Sequence, residues 1–221
     1  MFVGSEFHAR LLRGFFGHLN VRPIGLAWDR RDVFETLEGQ VRPLSERPKR
    51  VIFPHRGAPE KNPEAFYRLA HRLPEYEFVI TSSRRGSPQS LGYETGERWK
   101  VLTGLSKKEY YRLLADSRVM FSAAYQETFG YTVQEALAFG VIPVCPNRCS
   151  YPEVLSSEYL YDNDGVELVR RYVENPEPPP APSPAASLCP ATVASAPATS
   201  CQPGTSAISC VCGNDSRWPT T

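Results

Sequence analysis

The stretch "AAYQETFGYTVQEALAFG", residues 123–140, sets Glu127 and Glu135 eight positions apart, with a phenylalanine, a glycine and the start of an apolar helical pattern between them. Ionised carboxylates accept hydrogen bonds from vicinal hydroxyls such as those of a ribose, so two acids at this spacing suit a polyhydroxylated ligand. Gly130 lets the backbone come close to that ligand. The helix that begins there offers unpaired N–H groups and the positive end of its dipole, a place for a phosphate that needs no special side chain. Glu135, one turn into the helix, is expected at the ribose, and Glu127, nearer the sheet edge, at whatever lies beyond the phosphates. A purely structural alternative stays open for Glu135, because Thr132-Val133-Gln134-Glu135 also fits a capping box in which the carboxylate bonds back to Thr132.

Seventy residues earlier, "HRGAPEKNPEAF" places Arg56 and Lys61 five apart in a loop that enters a helix, with Pro63 near its first position. Two cations there suit a diphosphate, since arginine grips two oxygens while lysine acts as a movable point charge. A solvated turn is the plain alternative for either residue alone.

These residues need elements to bring them together. Between residues 50 and 174 short β-rich runs ("RVIFPH", "YEFVIT", "WKVLTG", "RVMFSA", "VIPVCP") alternate with helical ones ("PEAFYRLAHRL", "SKKEYYRLLADS", "YTVQEALAF" closed by Gly140, "DGVELVRRYVE"). The expected fold is α/β, a doubly wound parallel sheet of Rossmann-like kind, whose ligand crevice lies outside the carboxyl ends of the strands. Each candidate residue follows a strand, so all should meet at that edge. Ahead of this region, "SEFHARLLRGFFGHL" predicts a helix with Ser5 as N-cap, followed by an extended "VRPIGLAW" and a polar connector. His8 and His18 in this part match no motif and are expected to be half-exposed helix residues.

The sequence has 221 residues, 41% hydrophobic and 22% charged, with a formal net charge of +1. A core is expected, and no broad electrostatic field argues for nucleic acid or an anionic membrane as the main partner. Without an apolar run of 18 residues, and with acids and a histidine in the apolar positions of its opening, the chain reads as cytoplasmic with no membrane contact. Cys145 and Cys149 lie in the patterned region, whereas Cys189, Cys201, Cys210 and Cys212 follow residue 175, which argues against one disulfide framework and, with no second pair or histidine near "CPNRC", against zinc. From Asn175 the chain turns to Pro, Ala, Ser and Thr with almost no charge, and residues 175–221 are expected to be a disordered tail.

Taken together, "RGAPEKNP", "ETFGYTVQEALAFGVIPV" and "YPEVL" resemble the nucleotide-binding half of a retaining glycosyltransferase of the large group 1 family, with the GT-B fold. Members have an Arg and a Lys five apart after the first strand of the C-terminal domain and two glutamates separated by seven residues after the fourth. The resemblance spans roughly residues 1–174. It implies that residues 50–174 are a domain binding a UDP- or GDP-sugar donor, with no other cofactor and no metal, and that residues 1–49 are the remnant of an N-terminal domain and its linker. It further implies that Arg56 and Lys61 hold the diphosphate, that Phe129, Gly130 and Tyr131 present backbone N–H groups, that Glu135 binds the ribose, that Glu127 is the catalytic-site residue at the transferred sugar, and that Leu105 contacts the base. "VCPNRCSYPEVLSSEYLY" is similar to the end of tRNA-queuosine mannosyltransferases and of phage-type base glycosyltransferases, which turns the expected acceptor towards a modified nucleoside in tRNA or DNA. The implied reaction moves a hexose to a hydroxyl with retention. A partner chain could supply the acceptor domain; a non-catalytic donor-binding fragment and a sugar-nucleotide epimerase remain the alternatives.

Overall fold

The computed structural model describes residues 1–17, 20–25, 35–37 and 41–177. The chain opens with strand β1 (Phe2–Val3), helix α1 (Glu6–Phe16) and strand β2 (Arg22–Pro23). As the sequence leads one to expect, Ser5 caps α1, its hydroxyl accepting the N–H of His8 at 3.1 Å. β1 and β2 pair in parallel, and Val3, Ala9 and Val21 bury one another in a small cluster of their own, with Leu12 against it. Phe2, Phe15, Phe16 and Ile24 stay exposed around it.

The main sheet is built from β3 (Arg50–Phe53), β4 (Glu77–Thr81), β5 (Lys100–Leu102), β6 (Val119–Phe121), β7 (Ile142–Pro146) and β8 (Leu160–Tyr161). Every pairing is parallel and the order is β5-β4-β3-β6-β7-β8. The central runs "VIF", "FVIT", "VMF" and "IPVCP" are buried along their length, which explains why their sequences are continuously apolar rather than alternating. Helices α2 (Pro63–Arg72), α3 (Lys107–Ala115), α4 (Tyr131–Ala138), α5 (Tyr151–Val154) and α6 (Val166–Glu174) lie between and after the strands. The i, i+3, i+4 stripe expected of α2 is buried at Phe66, Leu69 and Ala70 and continues into Leu73 beyond the helix. α3 starts with a complete capping box between Ser106 and Glu109.

The order of strands puts the topological switch between β3 and β6, where the chain leaves in one direction and resumes in the other. The loops after these two strands carry Arg56 with Lys61 and Glu127 with Gly130. The connector ahead of β3 is pinned by Arg47, which is buried and donates to the carbonyls of Arg42, Ser117 and Phe139 at 3.0, 3.2 and 2.7 Å. Gly57 allows the loop after β3 to pack backbone to backbone on the 89–92 turn, because a Cβ there would collide with the Gly92 carbonyl. Three elements are not evident in the sequence pattern: β1, two residues long ahead of α1, α5 within "YPEVL", and β8, two residues long at the sheet edge. Residues 178–221, with the expected disorder and Cys189, Cys201, Cys210 and Cys212, lie outside the described residues, as do His18 and residues 26–34.

Candidate functional site

β3 ends against the loop 54–58, and a single 3-10 turn, Pro59–Lys61, leads through Asn62 (φ 52°) into α2. That turn aims Lys61 across the switch point. Its Nζ donates to the Gln126 carbonyl at 2.9 Å and to Glu127 Oε2 at 3.1 Å, and both side chains of the pair are only 15% exposed. The other oxygen of Glu127 accepts the backbone N–H groups of Thr128, Phe129 and Gly130 at 3.0, 3.4 and 3.1 Å. The loop before α4 therefore forms a concave set of donors with a cation opposite, the arrangement that holds an anion, and its occupant here is the protein's own carboxylate. Gly130 makes the curvature possible: it caps α4 at φ 83°, in the left-handed region where a side chain is strained. Burial alone would raise the Glu127 carboxyl, but the charge and hydrogen bond of Lys61 leave it below its ordinary value.

Arg56 engages its own loop instead. Its guanidinium, 66% exposed, donates from Nε to Glu60 Oε1 at 2.7 Å and again from Nη2. The Glu60 carbonyl in turn accepts the N–H groups of Tyr125 and Gln126 at 2.8 and 3.3 Å, which zips the post-β3 loop to the post-β6 loop. Phe129 is buried with its ring 5.1 Å from that of Tyr131, which is exposed at the first residue of α4. Leu105 is half-buried just before the Ser106 cap and lines an open groove of about 550 Å³ together with Leu37, Leu102 and Arg112.

The capping-box alternative for Glu135 is overturned. Gly130, not Thr132, occupies the N-cap of α4, and the Glu135 carboxylate turns away from the backbone to meet two phenols of α3. Tyr110 Oη donates to Oε2 at 2.8 Å and Tyr111 Oη to Oε1 at 3.0 Å. Burial raises the Glu135 carboxyl above its ordinary value, with the two tyrosines pulling the other way.

Sequence reasoning missed five participants. His55 is buried at the end of β3, edge-on to Phe53 at 5.0 Å, and its Nε2 has no protein partner among the described residues. Burial, helped by Lys61, lowers this imidazole to about 4, so it is neutral at physiological pH. Glu153, in the "YPE" element, accepts the N–H groups of Glu6 and Phe7 at 2.8 and 2.6 Å and so ties the start of α1 to α5. Ser5, Tyr110 and Tyr111 complete the set, the Ser5 hydroxyl donating to the Thr128 carbonyl in the site loop. "YPE" carried a signal, a proline at a helix start followed by an acid, and Ser5 a capping signal that does not point to Thr128; nothing in the spacing of His55, Tyr110 or Tyr111 names a partner.

Among the described residues no group of three His, Cys, Asp or Glu could hold a metal ion, and no helix is long and apolar enough to cross a membrane. Cys145 and Cys149 are unpaired; burial raises both thiols, and the Cys149 thiol donates to the Tyr125 carbonyl at 3.2 Å.

Residues 35–176 match the family model described as Glycosyl transferases group 1. A tRNA-queuosine alpha-mannosyltransferase of Drosophila melanogaster is 28% identical over 137 residues, covering 58% of this chain but 36% of that protein. The chain thus spans a little over a third of that relative's length. Among solved structures, HepE of Anabaena, determined with UDP and glucose, aligns with a TM-score of 0.61 at 15% identity over 79% of this chain and 53% of its own. An alpha-glucosyltransferase determined with UDP and a 13-mer DNA containing an HMU base aligns with a TM-score of 0.53 at 14% identity, over 79% and 55%.

Proposed function

The chain belongs to the glycosyl transferases group 1 family, and from that membership and the geometry at the β3–β6 switch we propose that it binds a UDP- or GDP-sugar there and moves the hexose to an acceptor hydroxyl with retention of configuration. One observation carries the reading: Lys61 and three consecutive loop N–H groups converge on a single carboxylate, that of Glu127. A diphosphate group bound in that concavity would face the same donors. Glu127, released from the nest, would then turn to hydroxyls of the transferred sugar. Arg56 would leave Glu60 for the diphosphate, a small change for an exposed side chain. Charge grows on the departing diphosphate in the transition state, and preformed donors and a cation stabilise it there without reorganising. Glu135 would accept the ribose hydroxyls, with Leu105 at the base.

The acceptor reading is a modified nucleoside, in tRNA or DNA. Supporting it are the two similar proteins whose names or contents involve such substrates, and a rim feature beside the site. Tyr125 is 57% exposed, with the Arg148 guanidinium 4.7 Å from its ring, an open aromatic face on which a base could stack. We also propose that residues 50–174 form the donor half and that a further domain, in the same protein or a partner chain, completes the cleft. The exposed Phe2, Phe15 and Phe16 around α1 suit such a neighbour.

Calorimetric titration with UDP, GDP, UDP-glucose and GDP-mannose tests the donor site, and Arg56→Ala should weaken diphosphate binding; unchanged affinity removes that assignment. Release of UDP or GDP with and without queuosine-containing tRNA and hydroxymethylated DNA separates the transferase from a second reading, a non-catalytic donor-binding fragment. Free sugar-nucleotide products without any acceptor would point to an epimerase instead.

A further inference from the structure

Glu135 is gripped from one side. Tyr110 and Tyr111 are consecutive on α3, and adjacent helix residues ordinarily diverge. Here both phenols reach one carboxylate, one on each oxygen at 2.8 and 3.0 Å, with their rings 5.4 Å apart and Lys107 Nζ 5.4 Å from the centre of the Tyr111 ring. Tyr111 is fully buried and Tyr110 partly so, which makes the pair a rigid platform rather than a solvated contact. A carboxylate has about four acceptor positions, so two remain after the tyrosines have taken theirs. With both oxygens held, the plane of the group is fixed and the free positions cannot rotate away.

We propose that Tyr110 and Tyr111 are positioning residues that lock Glu135 so that its remaining acceptor sites take a cis-diol, making this platform the element that selects a ribose over a 2′-deoxyribose nucleotide. The inference rests on the ribose reading of Glu135 and names what enforces it. A flexible glutamate would lose little when one hydroxyl is missing, since it could turn to water. A glutamate clamped at both oxygens cannot, and the missing partner leaves an acceptor unpaired.

The test measures affinity for UDP against 2′-deoxy-UDP, and GDP against 2′-deoxy-GDP, in the unsubstituted chain, in Tyr110→Phe and in Glu135→Gln. The unsubstituted chain should prefer the ribonucleotide by about 10- to 100-fold, the size of one hydrogen bond to a charged group. In Tyr110→Phe the preference should fall to about 3-fold or less, with 2′-deoxy-UDP binding nearly unchanged. A purely structural tyrosine would instead lower the melting temperature and weaken both nucleotides equally, keeping the ratio, which overturns the inference. A chain that binds UDP but shows no ribose preference overturns it too while leaving the diphosphate site standing. Binding of none of the four nucleotides overturns it together with the function on which it rests.

Discussion

Lys61→Met removes the cation of the Lys61–Glu127 pair while keeping a side chain of similar length. Both partners are 15% exposed and 3.1 Å apart, so the pair is largely out of water. Removing one member of a buried pair costs about 3–5 kcal/mol when the other is stranded. Glu127 is not stranded, because three N–H groups still point at its Oε1, so the loss should be nearer 1–3 kcal/mol. At this chain size that is roughly 2–12 °C in melting temperature. The pH dependence has a definite sign. The Glu127 carboxyl lies below its ordinary value in the folded protein, so it contributes stability above that value and loses it as the pH falls through the folded one. Without Lys61 the folded value moves up, and acid unfolding should begin at higher pH. Affinity for UDP or GDP should fall by about 2–5 kcal/mol, roughly 30-fold to several thousand-fold. Calorimetry of both nucleotides, thermal melts from about pH 2 to 8 so that the acid limb below the ordinary carboxylate value is covered, and the double variant with Glu127→Gln provide the measurements. Unchanged nucleotide affinity together with an unmoved acid limb would refute the argument, since both depend on Lys61 being the charge that faces the nest.

His55 predicts a separate acid sensitivity: its imidazole is lowered from 6.5 to about 4, so the unfolded chain takes up a proton that the fold refuses. Stability should therefore fall by up to about 3 kcal/mol between pH 6.5 and 4, and urea unfolding of His55→Gln should show a shallower slope across that window. Glu135→Gln should keep or raise the melting temperature at pH 8 while weakening nucleotide binding, because the raised carboxyl costs the fold most when ionised and an amide still bonds both phenols; a clear loss of stability would contradict this. Arg47→Met strips donors from three carbonyls, two of them bonded by buried guanidinium nitrogens, and should cost about 2–4 kcal/mol in urea unfolding without changing nucleotide affinity in the surviving folded protein.

Much of the architecture was legible because it depends on local rules. Short apolar runs such as "VIF" and "FVIT", β-branched and bounded by turn residues, read as strands buried on both faces, the stripe through Phe66, Leu69 and Ala70 as a helix packed on one side, and Ser5 at the start of α1 as a cap. β8 escaped because two residues have no period, and α5 because one turn has no stripe. At the site, types and spacing singled out Lys61, Glu127 and Gly130, which hydrogen bonds bring together, whereas Arg56 pairs with Glu60 and Glu135 with two tyrosines. Their partners could not be read in the same way. Thr132 and Glu135 satisfy the capping pattern in sequence, yet the phenols of Tyr110 and Tyr111, more than twenty residues away, offer the carboxylate a better place than the backbone of its own helix.

The order of apolar and polar residues, a property of the chain itself, determined which segments became strands and helices and therefore which edge would carry the charged loops. Only the tertiary structure decided what each charge faces. The strand order sets Lys61 against Glu127 and folds three N–H groups around that carboxylate. Hydrogen bonds reach about 3 Å and pair groups by position in space, whereas spacing in sequence governs only neighbours within a few residues on one element.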